Sequence, residues 1–413
     1  MRETNTETEL RAAFDRDTAR LRTRGDFEHK VRERIRARQR AYRTRLATLS
    51  ALGVVLAIAA GVVIVRDDGS NTLETQGSPT SATIQVTAQQ LAAATVTELA
   101  TPPSNLLPFF KLFAIENGFV LWGVRDPSTL QVTAARYSAL DNKWTTFAFP
   151  TMSRPPSEAA LDISVVSTGT ELLVLGRENF ALDLSTGKWR QLPEMPRPFS
   201  SSAFAFWTGK QAVVIGESSS PAGKQFVGQA FDPIANSWRA IAAPPDKHRV
   251  SYSPTVNSGA VMWTGKEALV VAFPDGTSSS SPYPYFVYDP ATDQWRAEPS
   301  PLDGGMPETG ATDGRKAYWI YQFTIAAGFD LETGQRIEIP PVPLSARGEI
   351  QLVLFGGQLV RLDGATLIVF DASTNQWISG PAVPGKTAVV DGNALYAIEF
   401  SSTNPRLTRV QPG

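Results

Sequence analysis

A short phrase that recurs along the C-terminal three quarters of the chain constrains the fold more than any other feature. In its fullest form, residues 287–295, Tyr288 and the pair Asp289-Pro290 precede a tight turn, and Trp295 follows it. Tyr and Trp are side chains that fill sheet cores, whereas Asp and Pro favour turns through local hydrogen bonding and a fixed φ. The phrase therefore predicts two antiparallel strands joined by a tight turn.

The same phrase occurs six times, and we expect its Trp residues to form inter-blade core rather than platforms for a ligand. Five copies end in Trp and one ends in an arginine: Trp144, Trp189, Trp238, Trp295, Arg336 and Trp377. Successive copies are 41 to 57 residues apart. A period of this size in strand-rich units is typical of a β-propeller, in which four-stranded blades surround a central channel.

The phrase resembles the kelch repeat, whose blades carry an aromatic-Asp-Pro turn, a Trp and then Leu-Pro-x-Pro. Residues 189–196, Trp-Arg-Gln-Leu-Pro-Glu-Met-Pro, are the best copy. The paired glycines of the family are mostly missing, and Gly176 and Gly216 stand singly at that place. The resemblance covers residues 94–413 and implies an all-β propeller, but a propeller scaffold hosts many functions.

Hairpin signals give an independent count of blades. Seven two-residue turn signals lie between apolar runs: Asn117-Gly118, Thr168-Gly169, Thr208-Gly209, Thr264-Gly265, Asp313-Gly314, Gly356-Gly357 and Asp391-Gly392. The seventh lies too near the C-terminus to be followed by its own outer strand. Residues 94–103 resemble the outer-strand ending at 238–245, so we expect the N-terminal segment to complete the last blade. We therefore predict seven blades, with six as the alternative.

The N-terminal region has a different composition from the predicted propeller. Residues 1–46 hold 14 Lys and Arg against 8 Asp and Glu, and the remainder holds 25 against 32. Residues 9–45 read as a charged helix, and residues 47–65 form an uncharged run of about 28 Å, close to the thickness of a bilayer core. The basic flank predicts a cytoplasmic N-terminus. A cleaved signal peptide is the rival, although no Ala-x-Ala site lies directly after Val65.

These features predict a single-pass cell-membrane protein with an extracytoplasmic propeller. The predicted segments are a basic cytoplasmic helix at 1–46, a transmembrane helix at 47–65, a flexible linker at 66–92 and the propeller at 93–413. The basic run at 30–45 suits anionic lipid headgroups or a cytoplasmic protein partner. The acidic outer domain argues against a nucleic-acid partner.

The residues available for chemistry are few, so we predict no catalytic residues, no metal site and no cofactor. The chain has no Cys and two His, His29 and His248. This excludes zinc–thiolate sites and the Tyr, Cys and His copper-radical site of galactose oxidase, a kelch-fold relative. The turn aspartates could suggest calcium, but backbone capping explains their position: Asp141, Asp183, Asp232, Asp289, Asp330 and Asp371.

The connections between strands point to a binding face. In a blade with strands A to D, the A–B and C–D turns share one face, and the B–C and D–A connections share the other. The turns on the first face are tight, whereas B–C insertions at 217–228 and 274–285 elaborate the second. Five cations recur in D–A loops: Arg154, Arg197, Arg249, Arg347 and Lys386. Their predicted aromatic neighbours are His248, Tyr252, Tyr283 and Tyr285.

We predict that these cations form a basic ring that binds carboxylates, on an acidic peptide or a carboxylated glycan. The alternative is that each arginine only pairs with a neighbouring blade, as such arginines do in kelch repeats. The leading functional hypothesis is a membrane-anchored recognition or scaffold protein that binds a protein, peptide or glycan. The alternative is a transmembrane regulator resembling anti-sigma factors, with the propeller as sensor, although the Cys-containing zinc motif common in such factors cannot occur here. An uncharacterised hydrolase or lyase is the third.

Overall fold

A computed structural model describes most of the C-terminal region. The described residues are 85–103, 110–126, 131–150, 163–176, 178–197, 199, 203–220, 223–244, 261–271, 285–300, 307–321, 325–343, 351–362, 364–385, 387–392, 394–399 and 405–413. The predicted helix at 9–45 and the predicted span at 47–65 lie outside them, as does most of the predicted linker. Within the described ranges, no helix has the length and apolar character needed to cross a membrane.

The described residues form 28 strands in seven four-stranded sheets. The first strand, β1 (Thr95–Glu98), follows the single described helix, α1 (Ala88–Ala92). Blade 1 comprises β2 (Phe110–Ile115), β3 (Gly118–Asp126), β4 (Gln131–Ser138) and β5 (Lys143–Ala148). Blade 2 comprises β6 (Ser164–Ser167), β7 (Glu171–Leu175), β8 (Phe180–Asp183) and β9 (Trp189–Gln191). Blade 3 comprises β10 (Ala203–Trp207), β11 (Ala212–Ser220), β12 (Gly223–Asp232) and β13 (Ser237–Ala240).

The remaining blades follow in the same order along the chain. Blade 4 comprises β14 (Val261–Trp263), β15 (Ala268–Val271), β16 (Tyr285–Asp289) and β17 (Gln294–Glu298). Blade 5 comprises β18 (Pro307–Thr312), β19 (Lys316–Tyr321), β20 (Ile325–Asp330) and β21 (Arg336–Ile337). Blade 6 comprises β22 (Gln351–Phe355), β23 (Gln358–Leu362), β24 (Gly364–Asp371) and β25 (Gln376–Gly385). Blade 7 comprises β26 (Thr387–Asp391), β27 (Ala394–Glu399), β28 (Arg406–Gln411) and β1.

The seven sheets close into a ring, which confirms the prediction of seven blades and makes the six-bladed alternative wrong. The first strand of each blade contacts the first strand of the next, and β26 of blade 7 contacts β2 of blade 1. Each boundary between neighbouring blades, called a seam below, contains one cluster of buried apolar side chains. Because both sides of every blade are buried in this way, the strands read as continuous apolar runs, such as Leu172–Leu175 in β7.

Blade 7 is completed by the N-terminal segment, as the sequence predicts. Strand β1 pairs antiparallel with β28 from Thr95 opposite Gln411 to Glu98 opposite Thr408. An exposed ion pair with an N–O distance of 2.9 Å joins Arg406 to Glu98 across the same two strands. The pairing removes the free edge that blade 7 would otherwise present, which is the physical reason for closing a propeller with distant parts of the chain.

Residues 85–92, the last part of the predicted linker, also pack on the propeller. Helix α1 begins at an N-cap, Thr87, whose side chain accepts a hydrogen bond from the amide of Gln90. Leu91 is fully buried between blades 6 and 7. The amide of Val86 donates to the carbonyl of Gly356 at 2.9 Å. Residues 85–99 are called the latch segment below, because they hold blades 6 and 7 together.

A set of hydrogen bonds, called the inner belt below, joins neighbouring first strands close to the centre of the ring. Ser164 donates to the carbonyl of Ala203 in the next blade at 2.6 Å. Thr309 accepts from the amide of Leu352 at 3.0 Å. Gln351 bonds both the carbonyl and the amide of Ala388. All three polar side chains are buried. Buried polar groups of this kind are satisfied only when the strands keep one register, so the belt fixes the position of neighbouring blades.

Candidate functional site

The two faces of the ring differ in the strand connections that they carry. The A–B turn of every blade, such as Thr168–Thr170 in blade 2, lies on one face, here called the plain face, together with the C–D turns. The B–C and D–A connections lie on the other, here called the elaborated face. The latch segment meets turns of the plain face, where Gln89 donates to the carboxylate of Asp371 at 2.9 Å. The first described residues therefore approach the ring from the plain face.

The insertion at 217–228 differs from the loop that the sequence predicts. Strands β11 and β12 continue as an antiparallel pair to Ser220 opposite Gly223. Within the described residues the first strand of the blade starts at Ala203, opposite Gly216, so the last four pairs of this hairpin lie beyond its described end. The serine-rich segment 217–220 therefore pairs as a strand with residues 223–226. The elaborated face thus carries a projecting two-stranded arm. The second predicted insertion lies outside the described residues except for Tyr285.

Arg197 is the one member of the predicted basic ring that the structure describes, and its backbone is held in place by Gln229. The Gln229 side chain, 1% exposed, donates through Nε2 to the carbonyl of Arg197 at 2.6 Å. Its Oε1 accepts from the amide of Arg197 at 3.0 Å. Arg197 itself is exposed, and no side-chain hydrogen bond or ion pair to it occurs within the described residues. A fixed backbone and an exposed guanidinium group suit an anion-binding residue.

The other predicted ring residues and most of their aromatic neighbours lie outside the described residues: Arg154, Arg249, Arg347, Lys386, His248, Tyr252 and Tyr283. Their convergence therefore stays a prediction. Gln229, by contrast, is a residue that the sequence analysis does not single out. Its contact with Arg197 joins residues 32 positions apart, and no local pattern signals it.

Tyr285 occupies the seam between blades 4 and 5. Its side chain is 3% exposed, and its ring meets Trp319 edge-on with a centroid separation of 6.2 Å. Burial raises the pKa of the Tyr285 phenol well above its usual range. The hydroxyl group has no hydrogen-bond partner among the described residues. This position makes Tyr285 part of the packed seam beneath the elaborated face.

The repeated Trp residues join neighbouring blades. Four of them donate from Nε1 to a carbonyl at the end of the preceding blade's outer strand: Trp144 to Ala100, Trp238 to Pro193, Trp295 to Ala242 and Trp377 to Pro340, at 2.8 to 3.0 Å. The buried Nε1 of Trp189 has no partner within the part of the chain that the structure describes. A residue with φ near +50° precedes the Trp by two positions in blades 1 and 4, Asn142 and Asp293. The carbonyl groups that accept from Trp144 and Trp295 belong to Ala100 and Ala242. The amides of these two residues donate to the side-chain oxygens of Asn142 and Asp293.

The turn aspartates cap backbone amides. Oδ1 of Asp183, for example, accepts from the amides of Ser185 and Thr186 at 2.8 and 2.9 Å. A hydrogen bond from the Ser185 hydroxyl group, together with those from the two amides, lowers the pKa of Asp183 to about 2. Across the described residues, no group of three or more His, Cys, Asp or Glu side chains is arranged to hold a metal ion.

Comparison with known proteins does not extend this picture. No known protein-family model matches the chain, and no curated protein is significantly similar to it.

Proposed function

We propose that this chain is a membrane-anchored recognition protein whose kelch-like propeller, outside the cytoplasm, binds a protein, peptide or glycan through its elaborated face. The single-pass anchor at 47–65 and the cytoplasmic position of the basic segment follow from the charge pattern of the sequence. The seven-bladed fold supplies a rigid scaffold, on which long connections are the usual place for binding residues.

The observation that carries the proposal is the contrast between the two faces of the ring. Turns of the plain face are tight, and the latch segment lies against those of blade 6. The elaborated face carries the projecting arm of blade 3 and the exposed Arg197, which the buried Gln229 holds in position. A partner on the elaborated face therefore does not compete with the latch segment for surface.

The test is capture of a surface partner by the intact chain and by matched variants. Arg197→Ala with Arg249→Ala removes two cations that we place on the elaborated face. Lys188→Ala with Lys210→Ala removes two exposed cations from turns of the plain face and is the control. We expect the first pair to weaken capture, and to do so most at low salt, because exposed charges are screened over about 8–10 Å near physiological ionic strength. Equal capture by both double variants would reject the elaborated face as the binding surface.

A further inference from the structure

Lys111 occupies the inner-belt position of blade 1 without making the belt's hydrogen bond. In blades 2 and 5 the belt residue lies opposite the fourth residue of an apolar run in the second strand, as Ser164 lies opposite Leu175, and in blade 6 Gln351 lies opposite Leu362 at the equivalent position. Lys111 has the equivalent position opposite Trp122. Ser164, Thr309 and Gln351 all bond the next first strand. No hydrogen bond or ion pair ends on the Lys111 ammonium group within the described residues.

The surroundings of Lys111 are apolar. Trp122, its cross-strand neighbour, is 7% exposed and belongs to the cluster in the seam between blades 1 and 2. Phe113, two residues further along the same strand, and Phe149 pack against that cluster. Trp122 meets Phe149 edge-on at a centroid separation of 5.2 Å. Lys111 is half-buried, so its ammonium group is only partly removed from water, and in such surroundings a charge without a counter-charge is disfavoured.

Among the described side chains on the neighbouring strands, none is a charged partner of this ammonium group. Strands β3, β6 and β26 contact β2. Strand β6 carries no titratable residue. On β26, Asp391 lies at the plain-face end, where it accepts from the amide of Gly118. Strand β3 ends in Arg125 and Asp126, whose side chains are outside the described part. Burial lowers the pKa of Lys111 to about 8.

Lys111 also lies at the end of the ring that the proposed function assigns to binding. Strand β2 runs from Phe110 to the A–B turn of the plain face, so its second residue is near the elaborated face. We propose that Lys111 is the anion-binding residue of a site at the elaborated-face mouth of the channel, and that this site takes a carboxylate carried on an apolar group. An acidic or C-terminal residue of a peptide has this chemistry. The inference rests on the proposed function in that it names the ligand class for the same face.

The apolar walls favour a peptide carboxylate over a uronic acid. A sugar ring brings hydroxyl groups that lose hydrogen bonds to water and would find few acceptors beside Trp122 and Phe113. A phenyl or aliphatic group beside the carboxylate would instead bury apolar surface against the same walls. The bound carboxylate would raise the pKa of Lys111 toward its usual value, because an opposite charge favours the protonated form. Binding should therefore be strongest below pH 8 and weaken as the lysine loses its proton above it.

The experiment measures the titration of Lys111 in the full chain by NMR after ¹³C-dimethylation of lysines, with Lys111→Arg identifying the resonance. The probes are N-acetylphenylalanine, its amide, and glucuronate. We expect N-acetylphenylalanine to raise the titration midpoint of Lys111 by about one pH unit, which corresponds to about tenfold tighter binding to the protonated form. Lys111→Met should weaken binding of this probe by about tenfold or more, and the neutral amide should not bind. Lys143→Met, a change at an exposed lysine of blade 1, should have no effect.

Each other outcome overturns the inference or part of it. An unchanged midpoint with N-acetylphenylalanine, or full binding by Lys111→Met, removes Lys111 from the site. Binding of glucuronate as tight as that of N-acetylphenylalanine rejects the apolar carboxylate and assigns the site to a glycan. If Asp126→Asn shifts the midpoint of the free protein as far as the probe does, Asp126 is the partner of Lys111 and the site is internal. If capture depends on Arg197 and Arg249 but Lys111→Met captures normally, the proposed function stands while this inference fails.

Discussion

Nε1 of Trp295 donates a 2.8 Å hydrogen bond to the carbonyl oxygen of Ala242, the residue whose amide donates to Oδ1 of Asp293 at 3.0 Å. Trp295 and Asp293 belong to blade 4, and Ala242 follows the outer strand of blade 3. Both backbone groups of one residue are thus held by the next blade. Ala100, the residue after the latch segment, is held in the same way by Asn142 and Trp144 of blade 1. The repeated Trp residues therefore connect blades as well as fill the seams between them.

The first prediction separates the hydrogen bond of the indole from its packing. Trp295→Phe keeps an aromatic ring but leaves the carbonyl of Ala242 without its donor, so it should lower the free energy of unfolding by about 1–2 kcal/mol. Trp295→Ala should lower it further, by up to about 3–5 kcal/mol, the cost of removing a fully buried aromatic side chain, because the indole is partly buried against the seam cluster. Trp189→Phe is the matched control, because Nε1 of Trp189 has no partner in the described structure. Urea unfolding that shows equal costs for the two Phe variants would contradict this role of the hydrogen bond.

The second prediction concerns the latch segment. Leu91 is 0% exposed and lies in the cluster between blades 6 and 7, so Leu91→Ala should lower the free energy of unfolding by about 2–5 kcal/mol. Leu140→Ala is the control, because the Leu140 side chain is 76% exposed, and it should change the free energy of unfolding by less than about 0.5 kcal/mol. Thermal unfolding of the two variants distinguishes them. Equal melting temperatures would show that helix α1 adds nothing to the closure of the ring.

The third prediction concerns how the free energy of unfolding falls at acid pH, and how much of that fall comes from Asp183 in a C–D turn. The pKa of Asp183 falls from 3.8 to about 2 in the folded chain, chiefly through the Ser185 hydroxyl group and then the amides of Thr186 and Ser185. A carboxyl group with a lowered folded-state pKa stabilises the fold above its unfolded-state value, and this contribution is lost as pH falls toward 2. Asp183→Asn should therefore make the loss of stability between pH 4 and 2 shallower.

Ser185→Ala provides a second arm for the same measurement. It keeps the carboxyl group but removes the largest cause of its lowered pKa, so it should also make the loss of stability between pH 4 and 2 shallower. Chemical denaturation across this pH range measures both slopes. If the slope of stability against pH is unchanged in both variants, the turn does not contribute to acid unfolding.

The sequence predicts the ring well because the features that define blades are local. Turn signals such as Thr264-Gly265 and the Tyr288 to Trp295 phrase each report one hairpin, and the likeness of 94–103 to an outer-strand ending reports the closure. Helix α1 is missed because five residues in a Ser-, Thr- and Gln-rich stretch give no helical period. Whether Leu91 is buried depends on blades 6 and 7, which lie far away in the sequence.

The candidate site is less predictable for a related reason. Arg197 is found from its place after a recurring Pro, but its anchor, Gln229, lies on another blade and has no sequence signal. Lys111 reads as an ordinary charged residue near the start of a strand, and only the comparison with Ser164 of blade 2 and Gln351 of blade 6 shows that its position is unusual. The projecting arm of β11 and β12 is read as a loop because serine and glycine are poor indicators of a strand.

The last prediction uses the contact between Gln229 and Arg197 to separate structure from binding. Gln229→Leu keeps the side-chain volume but leaves the amide and carbonyl of Arg197 without partners next to a buried apolar group. It should lower the free energy of unfolding by about 1–3 kcal/mol, the cost of leaving such groups unsatisfied, and weaken capture of a partner because the backbone that carries the guanidinium group loses its anchor. Arg197→Ala keeps both backbone hydrogen bonds, so it should weaken capture while changing the free energy of unfolding by less than about 0.5 kcal/mol. Urea unfolding and capture measured side by side on both variants give the answer. If Arg197→Ala destabilises the chain as much as Gln229→Leu does, and the folded fraction captures its partner normally, the arginine is structural and the basic ring loses its best-defined member.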